Sequence, residues 1–140
     1  MEITVETVVK ADLNTVWSAW NDPEDIKQWN TASDDWHTTR STVDLREGGS
    51  FSSRMEAKDG SMGFDFAATY TRVVPQELIE FEMGDGRKVK VEFSETGDGT
   101  LVRETFDAET ENEPEMQRQG WQAILDNFAR HAEAKAARNS

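Results

Sequence analysis

Four side chains in this sequence are of the types that do acid–base chemistry in a cleft: Asp35, His37, Tyr70 and Glu104. Asp35 and His37 are two positions apart, so on a strand they share a face. His37 has the parity of Val43 and Leu45, which are expected to point inward. A histidine beside a carboxylate at a cavity mouth can act as a general base. A polar loop entering a strand, or a histidine hydrogen-bonded at a rim, explains the same residues more simply. Tyr70, the only tyrosine, has the parity of Phe64 and Phe66 and is expected inside. Its hydroxyl can orient a ligand there or, more commonly for a core tyrosine, find one partner. Hairpin register puts Glu104 on the inner face, opposite Phe93. A buried carboxyl has a raised pKa and can bind or protonate a ligand. A bulge or a slip of one residue would turn it to solvent instead.

Around these groups the sequence is rich in large apolar side chains. The five tryptophans are many for this length. Trp17, Trp20 and Trp121 lie on helical apolar stripes, where core packing is the default, while Trp29 and Trp36 flank a polar segment and are better pocket candidates. The inner strand face offers Phe51, Met55, Phe64, Phe66, Phe81 and Met83. Such a Phe/Met surface tolerates varied ligands, and it would also serve as an ordinary core. The candidate cavity set is therefore Trp29, Asp35, Trp36, His37, Phe51, Met55, Phe64, Phe66, Tyr70, Phe81, Glu104 and Trp121. No catalytic residue is assigned. There is no paired-histidine motif, calcium loop or phosphate-binding glycine loop, so no metal or cofactor is expected. Gly48-Gly49 lies between strands and serves a turn.

The elements that must position these residues can be read from periodicity. Residues 3–9 alternate as a strand, partly buried on both faces at its end. Asp12 caps a helix with Leu13, Val16, Trp17 and Trp20 on one face. Asp22-Pro23 starts a second short helix with Ile26 and Trp29 on its apolar side. From about residue 36 the pattern alternates, with turn signals every ten residues or so. A two-residue loop at Asp59-Gly60 sets Met55 opposite Phe64, Ala57 opposite Met62, Phe51 opposite Ala68, and Arg54 opposite Asp65 as a surface pair. A loop at Gly84-Asp85-Gly86 sets Phe81 opposite Val89 and Ile79 opposite Val91. A loop at Asp98-Gly99 sets Val91 opposite Phe106. Residues 74–77 make a turn. A long helix begins near Pro114, with Trp121, Ile124, Leu125, Phe128 and Ala132 at helical spacing, and acids at its start where the dipole favours them. The sheet's apolar face and the helix's apolar stripe each need cover, and packing one on the other supplies both.

Composition narrows the classes. The 140 residues fit one domain. A net charge of −13 disfavours nucleic acid and anionic membranes. The absence of cysteine excludes disulfides, thiolate catalysis and Cys-based metal sites. The alternating, acid-bearing start is not that of a signal peptide, and no apolar run reaches the ~20 residues of a membrane span, so a cytoplasmic location is the expectation.

This order of elements resembles the helix-grip plan of the START-like (SRPBCC) superfamily, an α+β fold with a curved antiparallel sheet wrapped on a long C-terminal helix and two short helices after the first strand. Val16-Trp17-Ser18-Ala19 with Asp22-Pro23-Glu24, the run Asp44-Leu45-Arg46-Glu47-Gly48-Gly49-Ser50-Phe51, and Gly120-Trp121 leading into Ile124-Leu125-Asp126-Asn127-Phe128 are similar to the bacterial family named after the activator of heat-shock-protein-ninety ATPase. The resemblance covers nearly the whole chain. Ala67-Ala68-Thr69-Tyr70 departs from it where a glycine usually precedes the Thr-Tyr step, and Gln28-Trp29 departs where paired tryptophans are common. The segment from Trp29 to His37 looks like a narrower bacterial subgroup. The resemblance implies a fold more than a function, since the superfamily spans carriers, hormone binders and cyclases.

Three functions follow as expectations. The first is a module binding an apolar or amphipathic small molecule. The second is a cavity enzyme of cyclase or hydrolase type using His37, Asp35, Tyr70 or Glu104. The third is a co-chaperone-like module with a protein partner. A monomer or weak dimer is expected, with edge strands near residues 36–45 or 101–107.

Overall fold

Alternation in the first residues becomes strand β1 (Glu2–Val9), with Ile3, Val5 and Val9 buried on one face. Val8 is 44% exposed, so the strand's end is buried on one face only. The computed structural model describes residues 1–31 and 33–138; Ala32, within the segment from Trp29 to His37, lies outside them. After β1 come α1 (Leu13–Asn21), α2 (Pro23–Trp29), β2 (Trp36–Val43), β3 (Ser50–Ala57), β4 (Gly63–Val74), β5 (Leu78–Met83), β6 (Lys88–Thr96), β7 (Gly99–Asp107) and α3 (Pro114–Arg138). The caps are those expected. Asp12 accepts from the Thr15 amide at 2.7 Å and Asp22 from the Glu24 amide at 2.8 Å, satisfying donors that a helix start leaves open.

The strands form one antiparallel sheet in the order β1-β7-β6-β5-β4-β3-β2. Its edges are β1 and β2. The segment 101–107 is therefore no edge: β1 covers it along its whole length. Met55 pairs with Phe64, Phe51 with Ala68, Arg54 with Asp65, Phe81 with Val89 and Ile79 with Val91, as the turn signals require. The β3–β4 loop keeps that register but is wider than two residues: the Ala57 amide bonds the Met62 carbonyl, leaving 58–61 as the turn.

Two registers differ from expectation. Between β6 and β7 the loop is Gly97-Asp98, not Asp98-Gly99, so Glu104 faces Val91 and Phe106 faces Val89. The Thr96 hydroxyl closes this loop, accepting from the Asp98 amide and donating to the Gly99 carbonyl. Gly99 belongs to the strand, where it lets β1 approach. A Cβ there would lie 2.1 Å from the Val9 carbonyl oxygen, so only glycine admits β1 this close. A slip of two residues preserves side-chain parity, and Glu104 still points inward. In β2 the irregularity between Thr38 and Arg40 does reverse parity. Thr38 turns in and is buried, whereas His37 turns out and is exposed.

Helix α3 lies across the sheet and against β1. Leu125, Phe128 and Ala132 are fully buried, together with Val9, Val16, Val91 and Val102. Full burial of each large apolar side chain contributes about 1.5–3 kcal/mol. Phe128 meets Trp20 and Trp29 edge-on at 4.9 and 5.0 Å, tying α1, α2 and α3 together. The start of α3 is set by buried Gln117, whose amide accepts from Glu109 N–H and donates to the Asn112 carbonyl.

Candidate functional site

The curved sheet does not close completely on α3. Between its inner face, the ends of α1 and α2, and the first half of α3 is a cavity of about 200 Å³. A dry cavity of about 150 Å³ admits a benzene-sized molecule, so this one suits a compact ring system. Phe51, Phe66, Tyr70, Ile79 and Phe81 line it from the sheet. Phe51 organises that wall, with ring centroids 4.9 Å from Phe81, 5.4 Å from Tyr70 and 5.9 Å from Phe66. Trp121 and Ile124 of α3, and Trp20, Ile26 and Trp29 of the short helices, supply the rest of the apolar lining. Trp121 lies flat on Phe106 at 4.0 Å, and the Trp29 indole N–H donates to the Ala19 carbonyl at 3.0 Å, so both rings are held in place. Met55 and Phe64 also border the cavity. Phe64 is 50% exposed and stands at its rim.

Five polar residues interrupt this lining: Asn21, Asn30, Ser53, Tyr70 and Glu104. Asn21 is turned back to the Trp17 carbonyl and Asn30 to the Met55 sulfur. Glu104 differs. It is buried as a residue, and among the described residues its carboxyl has no hydrogen-bond or ion-pair partner; no fully buried side-chain oxygen is left unpaired there, so the carboxyl oxygens are open to the cavity. Burial alone pushes its pKa up to about 8, so it is mostly protonated at neutral pH. The Tyr70 hydroxyl is likewise without a described partner, and burial, reinforced by the charge of Asp44, raises its pKa.

The structure brings Trp29, Phe51, Met55, Phe64, Phe66, Tyr70, Phe81, Glu104 and Trp121 to one space. It leaves out Asp35, Trp36 and His37. Asp35 is exposed and accepts from the Ser33 hydroxyl, which with its own backbone holds its pKa down. Trp36 packs on Phe64 outside the lining, at 5.8 Å. Trp20, Asn21, Ile26, Asn30, Ser53, Ile79 and Ile124 also line the cavity and are not among the candidates expected from the sequence.

A second cluster was also missed. Asp25, in the first turn of α2, is buried and receives His131 Nε2 at 2.8 Å and Lys135 Nζ at 2.7 Å from α3. Burial opposes its charge, but the bonds from Lys135 and His131 outweigh this and lower its pKa. The spacing of His131 and Lys135, one helical turn apart, was the available signal. This cluster clamps α2 to α3 and lies outside the cavity lining. Among the described residues no three His, Asp or Glu side chains converge as a metal site, and no helix is long and apolar enough to cross a membrane.

A half-barrel of antiparallel strands gripping a long C-terminal helix, with an apolar cavity between them, defines a START-like helix-grip protein. Residues 10–133 match the family described as Activator of Hsp90 ATPase homolog 1-like protein, and the chain belongs to that family. An AHSA1-like protein from Aeromonas hydrophila is 53% identical, with 96% of this chain and 94% of that one covered and a TM-score of 0.91. A protein from Cytophaga hutchinsonii is 47% identical over 96% and 93% of the two chains, with a TM-score of 0.83. A protein from Nitrosomonas europaea, 19% identical with 96% of each chain covered and a TM-score of 0.84, shares the fold. No curated protein matches the chain.

Proposed function

We propose that the chain, acting as one domain, binds an apolar or amphipathic small molecule in this cavity. The observation that carries the reading is Glu104. Holding a carboxyl in an apolar wall with no protein partner costs free energy, and a residue kept solely for packing at that position would be apolar, like its neighbours Val5 and Val91. A ligand that pairs with the carboxyl and fills the aromatic space removes that cost. Trp29 and Trp121, each fixed by another contact, make the walls preorganised.

Of the groups named for the cavity-enzyme reading, Tyr70 and Glu104 line the cavity, while His37 and Asp35 are on the surface. The protein-partner reading needs a contiguous apolar patch. The exposed large apolar residues Met1, Val8, Met62, Phe64 and Met116 come from several separate elements, with only Met62 and Phe64 on one hairpin.

An amide NMR titration with fatty acids, flavonoid-like aromatics, polyketide-like phenols and hydrophobic amines tests the binding reading. Shifts clustered at Trp29, Tyr70, Glu104 and Trp121 support it. An unchanged spectrum with every class would remove it.

A further inference from the structure

The cavity's charge pattern is more selective than its shape. Among the described residues the lining contains no Lys, Arg or His. A fatty acid or any other carboxylate would therefore enter with no cationic partner and would face Glu104, an acid. A neutral apolar ligand would fill the space but leave Glu104 unpaired. One class satisfies both features. We propose that the cavity's ligand is a compact hydrophobic amine whose nitrogen pairs with Glu104 and whose ring system lies among Phe51, Phe66, Phe81 and Trp121. This rests on the cavity being a binding site.

The proton balance is simple. A neutral amine entering the cavity takes the proton of the Glu104 carboxyl, and an ammonium–carboxylate pair results. An amine entering as its cation meets the same carboxyl, which then releases its proton to solvent. Either way the bound state is one ion pair shielded from water, where charge-assisted hydrogen bonds are strong. The aromatic faces add attraction for the ammonium. In sheet register Glu104 is flanked by Val5 of β1 and Val91 of β6, and α3 presents Trp121 and Ile124 to the same cavity. Among the described residues, Tyr70 is the only other titratable side chain in the lining. No described group competes for the amine, and none supplies a counter-charge to an anion.

The test is calorimetry on the full chain at pH 7 with three matched probes: naphthylmethylamine, naphthylmethanol and naphthoate. The amine is expected to bind at least about tenfold more tightly than the alcohol, the increment of one charge-assisted pair, with naphthoate weakest. Glu104→Gln should bring amine and alcohol to similar affinity. On the unaltered chain, repeating the amine titration in buffers of different ionisation heat should reveal proton release, and the alcohol should release none. Equal affinity for amine and alcohol, with shifts at the cavity, overturns the amine assignment and leaves the binding reading in place. An amine preference that survives Glu104→Gln reflects attraction to the acidic surface and also overturns it. Failure of all three probes, together with no shifts from the wider library, removes the binding reading itself.

Discussion

Glu104 stands directly opposite Val91 across β6 and β7, a carboxyl set among hydrocarbon on the face that packs against α3. The pairing makes stability depend on pH. The carboxyl titrates at an ordinary value of 4.5 when exposed and at about 8 in the fold. Between these values the folded chain holds more protons than the unfolded chain, so stability falls as pH rises and is flat above about 8. Glu104→Gln should abolish this slope. It should also stabilise the protein by a few kcal/mol near pH 8, since a pKa displaced by one pH unit is worth roughly 1.4 kcal/mol. Urea midpoints of both proteins at pH 5 and pH 8 read the effect, and parallel pH profiles would contradict it.

Asp25 works in the opposite direction. Its folded pKa is lowered by Lys135 and His131 against the cost of burial, so its contribution is present above the ordinary carboxylate value of 3.8 and is lost as pH falls through the folded one. Asp25→Asn should cost about 1.5–3 kcal/mol at neutral pH, the range for a hydrogen bond to a charged group. The cost should shrink at acid pH. Equal destabilisation at pH 3 and pH 7 would show that the charge is not what matters.

Gly97, in the β6–β7 loop, and Gly99, at the start of β7, should respond differently to alanine. At Gly99, with φ of +147°, the new Cβ meets the Val9 carbonyl, whereas at Gly97 nothing lies within 4 Å. Gly99→Ala is expected to destabilise by about 2 kcal/mol or more through strain and a displaced β1, and Gly97→Ala by less than about 1 kcal/mol. Thermal melts of the two variants side by side decide this.

Phe128 and Phe66 separate solid core from cavity wall. Phe128 is fully buried against Trp20 and Trp29, so Phe128→Ala should cost about 3–5 kcal/mol. Phe66 is partly buried and borders empty space, so Phe66→Ala should cost clearly less while enlarging the cavity. Denaturant unfolding of both, with similar losses, would indicate that the wall is packed as tightly as the core.

Much of this architecture is legible in the sequence because its causes are local. Asp12 and Asp22 announce helix starts through their own side chains, and the β3–β4 and β5–β6 registers follow from glycine turns. The β6–β7 turn is easily misplaced because Gly97-Asp98 and Asp98-Gly99 are both good turn pairs. The deciding contact, Gly99 against Val9, joins distant parts of the chain. His37 is expected inward because parity arguments assume an unbroken ladder, and the irregularity after Thr38 breaks it. Asp25 escapes notice because its partners are on another helix. Tyr70 and Glu104 can be placed on the inner face by parity, but whether that face encloses space depends on how far α3 stands from the sheet, and no local pattern encodes that separation.

The place of β1 has a consequence for how the chain is made. Of the seven strands of this sheet it leaves the ribosome first, yet its hydrogen-bonding partner β7 and its cover α3 are the last of the described elements to follow. Until they emerge, Ile3, Val5 and Val9 have nothing to bury against. Contacts this distant in sequence carry the largest loop-closure cost and form late. Val5→Ala should then speed unfolding while leaving the refolding rate nearly unchanged, which stopped-flow chevrons would reveal. A nascent chain lacking its last two elements would be a sheet with an open edge at β6 and an unattached β1, the form most in need of a holding chaperone.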